Sequence, residues 1–135
     1  MIDRLKYIEI NGTQIPYLCT IQVLADIQEE YGTIEHFEKE LLGIVDTDKN
    51  GQAIKTKEPS IKAAVWGISL MIEQGMRKYN RDKDAAEKID FKIADVGDID
   101  KTPDELKTIV HNAFVESIQV KKGQPPQASE TEMSK

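Results

Sequence analysis

A single cysteine, Cys19, in a chain of 135 residues excludes an intramolecular disulfide and suits a reducing cytoplasm. Cys19 lies in the apolar run IPYLCTI, where a thiol acts as a small core hydrophobe. No apolar stretch approaches the roughly 20 residues of a membrane span, and MIDRLKYIEI carries no signal-peptide core. A basic excess is also missing. Eighteen Lys and Arg stand against 24 Asp and Glu, for a net charge of −6, which argues against a phosphate-tracking nucleic-acid surface.

Catalytic motifs are equally scarce. The chain has no Gly-rich phosphate loop, no GxSxG and no HExxH, the spacings that would place a phosphate cradle, a nucleophile or a zinc pair. Its two histidines, His36 and His111, fall on the polar sides of separate helical patterns and read as solvated. Glu29, Glu30, Glu35, Glu38 and Glu40 read as solvated helix faces. Asp98 and Asp100 favour the positive end of the helix that follows them. A glycosidase-type pair of carboxylates stays open, although no spacing points to one. The expectation is a protein that is not an enzyme, with no cofactor and no metal.

What is present is a sequence of clear structural signals. YIEI and QIPYLC flank Asn11-Gly12-Thr13, and Ile8 and Ile10 alternate with Glu9, which predicts a β-hairpin. Pro16 cannot donate to a ladder, so the second strand should lie at an edge or carry a bulge. From Thr20 the period changes to helical, with Ile21, Leu24, Ile27 and Tyr31 as the apolar stripe and Gly32 as the stop. Thr33 restarts a shorter helix through Ile34, Phe37, Leu41 and Leu42, ended by Gly43. A third helix, SIKAAVWGISLMIEQGMRKYN, is apolar nearly all round between Ile61 and Ile72, as befits a central or partner-covered helix. Its stripe is Ile61, Val65, Ile68 and Ile72, while Gly67 and Gly75 mark close helix approach. RDKDAAEKID is a charged turn or loop, and FKIADVGDID fits no single template. In TPDEL, Thr102 is an N-cap, Pro103 the first helical residue and Glu105 the partner of a capping box. That last helix carries Leu106, Ile109, Val110, Ala113, Phe114, Ser117 and Ile118 at helical spacing.

Residues 46–58, DTDKNGQAIKTKE, imitate a calcium loop. Asp46, Asp48, Asn50 and Gly51 fall on positions 1, 3, 5 and 6 of an EF-hand. Position 12 is Lys57, where the bidentate glutamate should stand. The segment therefore reads as a hairpin or loop around Asn50-Gly51. The fold class that emerges is mainly α (α+β). A single helical domain spans 1–120 with an N-terminal β-hairpin and an exposed loop or hairpin over 43–60. A polar, Pro-bearing stretch, 121–135, reads as a disordered tail.

With no chemistry to follow, apolar surface becomes the lead. Trp66, Leu70, Met71 and Met76 exceed what one stripe of the third helix requires. Taken singly each reads as core; together they are candidates for binding a client's apolar helix face. The order of features then resembles the tail assembly chaperones of long-tailed bacteriophages and prophages. The likeness lies in YIEINGTQIPYLCT, the helix closing on Tyr31-Gly32, the short acidic helix, SIKAAVWGISLMIEQGMRKYN, a hydrophilic stretch and TPDELKTIVHNAFVESI. It spans roughly residues 5–120, with 46–58 as an insertion. This resemblance implies a bacterial cytoplasmic chaperone that binds and solubilises the tape measure protein during tail morphogenesis. It implies further that a longer, frameshifted form recruits the tail tube protein, and a homo-oligomer is compatible with it. The other reading is a structural tail component, such as a connector or tube accessory subunit.

Overall fold

The computed structural model describes residues 5–121. Strands β1 (Lys6–Ile10) and β2 (Thr13–Tyr17) pair antiparallel with Ile8 opposite Ile15. Asn11 and Gly12 join them with φ of 52° and 79°, the left-handed pair that matches the strands' own twist. Alternation places Ile8, Ile10, Ile15 and Tyr17 in the core. Pro16 pairs with Tyr7 on a strand whose other side meets a helix rather than a third strand. A missing N–H is therefore tolerated there.

Helix α1 (Ile21–Tyr31) begins at Thr20, whose hydroxyl accepts from the Val23 amide, and ends at Gly32 with φ 86°. Helix α2 (Ile34–Leu42) begins at Thr33 in the same way and ends at Gly43. Strands β3 (Ile44–Thr47) and β4 (Ala53–Thr56) form a second antiparallel ribbon with an irregular register. Helix α3 (Ile61–Asn80) follows, capped by Ser60. Two short 3-10 segments, Ala85–Glu87 and Ile93–Asp98, lead into α4 (Pro103–Lys121). The capping box is made in full, with the Glu105 amide donating to Thr102 Oγ1 and the Thr102 amide donating to Glu105 Oε1. The fold is therefore a small α+β domain dominated by helix. The expected tail lies outside the described residues, apart from Lys121, which closes α4.

Helix α3 is the axis of the domain and packs on β2, α1, α2 and α4. Ala63, Ala64, Gly67, Ile68, Met71, Ile72 and Gly75 are its buried residues. Gly75 lets α3 lie directly on the first hairpin, because a Cβ there would fall 2.5 Å from the Pro16 carbonyl oxygen. The Leu18 amide donates to the Met71 carbonyl at the same contact. Phe37, fully buried, sits between Phe114 of α4 (5.5 Å between ring centroids) and Tyr31 of α1 (5.2 Å). The aromatic cluster thus joins four helices once Trp66 of α3 is added, 5.4 Å from Tyr31.

Two expected apolar positions turn outward. Ile21 and Ile61 are 61% and 57% exposed. Each is the first residue of its helix, and on α1 Val23 and Ile27 form the inner line instead. Cys19 is buried, as its apolar surroundings predict.

Candidate functional site

Trp66 and Leu70 lie one turn apart on α3, in a line with Lys62, Glu73 and Arg77 spaced by three and four residues. That spacing forms one helix face, and it is the outer one, since Lys62, Glu73 and Arg77 are all exposed. Both apolar residues are half-buried and rest against the core. Trp66 is braced edge-on by Tyr31 and, at 6.0 Å, by Phe37. A rigid aromatic held at the boundary of core and solvent can add apolar area to a contact at small entropic cost. Met76 is half-buried near the edge of the same face.

Met71 does not belong with them. It is fully buried, because five residues from Trp66 carry it to the opposite side of the helix. The four expected residues therefore divide into an outer pair, a marginal Met76 and a core Met71. The most exposed large apolar side chains lie elsewhere, at Tyr7, Ile21, Val45, Ile54 and Ile61. Of these, Ile21 and Ile61 had the sequence pattern of buried stripes, and Val45 and Ile54 sit on the second ribbon. Isolated exposed apolar residues are ordinary on protein surfaces.

Two acidic residues lie near Tyr31, which braces Trp66. Burial raises the Tyr31 hydroxyl above its ordinary pKa, and the nearby Glu30 and Glu40 carboxylates add to the effect. Glu40 in turn is held below its ordinary value, chiefly by a hydrogen bond from Lys57, with burial opposing. Lys57 Nζ lies 2.9 and 3.0 Å from the two carboxylate oxygens. Two acidic residues of α2 are thus structural rather than merely solvated. Glu38 Oε2 is 2.7 Å from His111 Nε2, which ties α2 to α4. His111 is half-buried and stacks on Phe114, so it is not the surface histidine its polar neighbours suggest. His36 Nδ1 lies 2.9 Å from the Tyr31 carbonyl, an acceptor, which fixes the proton on that nitrogen.

The calcium-like loop is a turn held by its own acids. Asp48 Oδ1 accepts from the Asn50 and Gln52 amides at 2.8 and 2.9 Å, and Asp46 Oδ1 accepts from the Thr47 amide. Carboxylates engaged with backbone amides fix the ribbon's tip. Among the described residues no group of three or more His, Cys, Asp or Glu side chains could hold a metal ion. None of the described helices is long and apolar enough to cross a membrane. No family model matches the chain, and neither a curated protein nor a solved structure does so.

Proposed function

We propose that this chain is a non-catalytic tail assembly chaperone of a long-tailed bacteriophage or prophage, working in the cytoplasm of the bacterial host. Its client is the tape measure protein, which it keeps soluble until the tail tube forms. The observation that carries the reading is the Trp66–Leu70 ridge, two half-buried apolar side chains on the outer side of a helix whose opposite side is core. An apolar helix of the client would lie along that ridge with its anchors at helical spacing. The order of elements supports the same reading, since hairpin, Tyr-Gly-terminated helix, short acidic helix, long apolar helix and capped last helix follow one another as in such chaperones. The acidic balance of the chain keeps a half-covered complex in solution.

Co-expression with the tape measure protein of the same phage tests the proposal. The client should become soluble and co-purify with this chain; unchanged solubility with no co-purification would refute it. Trp66→Ala and Leu70→Asp should weaken capture while the circular dichroism spectrum stays the same. A chaperone should also be absent from purified virions, whereas a connector or tube accessory subunit would be found there by mass spectrometry.

A further inference from the structure

The C-terminal half of α3 carries a second feature, which meets the line of the apolar ridge only at Arg77. Gln74 and Lys78, like Arg77 and Arg81, stand four residues apart on neighbouring lines of the helix, and they face the start of α1. Together with Leu18, Thr20 and Gln22 they line a cleft of about 320 Å³. Three cations converge there in a chain whose net charge is −6. Arg77 and Arg81 form no ion pair with any described residue, while Lys6, Lys57 and Lys107 are each matched to a carboxylate. The first turn of α1 adds to the positive potential, because it holds no acidic residue of its own, unlike those of α2 and α4. Arg77, Lys78 and, at the C-cap, Arg81 all complement the negative end of α3, but that role does not account for the facing residues of α1 that close the cleft. Leu18, half-buried, is the apolar residue of the lining.

We propose that this cationic cleft is a docking surface for an acidic segment of a protein partner, with one apolar side chain of the segment resting on Leu18. Carboxylates of the segment would pair with Arg77 and Arg81, whose planar forks suit them. The cleft has the size of one or two acidic side chains, not of a folded ligand. A nucleic acid fits less well, since its continuous charge would be repelled by the acidic remainder of the surface. The inference is independent of the chaperone reading, so either can fail while the other stands.

A fluorescein-labelled decapeptide of glutamates with one central leucine tests it by fluorescence anisotropy at low salt, beside a labelled thymidine decanucleotide. The peptide should bind the full chain and the oligonucleotide should not. Arg77→Gln with Arg81→Gln, both exposed positions, should weaken peptide binding by roughly tenfold or more, the effect of losing good charge contacts. Lys55→Gln on the distant second ribbon should leave it unchanged. Absence of peptide binding, tighter binding of the oligonucleotide, or equal losses from the arginine and Lys55 variants would each overturn the proposal.

Discussion

The two β-ribbons of this protein share a turn dipeptide and almost nothing else. Both bend at Asn-Gly, at residues 11–12 and 50–51. The first is part of the core, with Ile8, Ile10, Ile15 and Tyr17 buried and α3 pressed against Pro16. The second stands away from the domain, and every residue of β4 is exposed. Its attachment is confined to its base, where the Lys57 amide donates to the Gly43 carbonyl and the Lys57 side chain grips Glu40. Turn chemistry therefore decides that a ribbon forms, and alternation of apolar residues decides whether it is buried. YIEI and QIPYLC offer a continuous inner face. In IVDTD and QAIKTK the apolar residues are fewer, and the register shifts between Ile44 and Thr47 break the alternation.

Truncating matched isoleucines tests this contrast most severely. Ile8→Ala in β1 should cost about 2–4 kcal/mol in urea unfolding, as for a large side chain removed from a packed core. Gly75→Ala should come next, at about 1–3 kcal/mol, because the added methyl meets backbone atoms of β2 that cannot rotate away. At the base of the second ribbon the effect is smaller. Glu40 has a folded-state pKa below its ordinary 4.5, so its contact with Lys57 stabilises the fold above that pH. The contribution is lost as pH falls through the lower folded value. Comparing Glu40→Gln with the parent should show a stability difference at pH 7 of at most about 1 kcal/mol, because the pair is partly solvated. That difference should shrink as the pH falls through the lowered folded-state pKa. Ile54→Ala in β4 should change stability by about 0.5 kcal/mol or less. A loss as large as that of Ile8→Ala would mean the second ribbon is buried in the working protein, under a partner or a second copy.

Local backbone chemistry made much of this fold legible. Thr20, Gly32, Thr33, Gly43 and Thr102 each mark a helix end because capping requires only nearby atoms. The Asn11-Gly12 hairpin and the buried Cys19 are readable for the same reason. What stayed hidden depends on distant partners. His111 is drawn in by Glu38, 73 residues away in sequence. Ile99, in a stretch without a clear pattern, bridges to Ile10 beside the first ribbon. Asn80 pins the hydrophilic stretch through both backbone groups of Ile89. An apolar-all-round helix likewise does not reveal which side its neighbours will cover, so Met71 and Trp66 look equivalent in sequence yet face opposite ways. The cationic face of α3 was written at helical spacing, but the start of α1 opposite it becomes visible only in three dimensions.

Trp66 is the single tryptophan of the chain and sits on the surface that the chaperone proposal needs. Its fluorescence during titration with the tape measure protein is therefore the most direct test. The emission should shift to shorter wavelength and acrylamide quenching should fall as the complex saturates. A complex that forms while the emission and quenching of Trp66 stay those of the isolated chain would contradict the account.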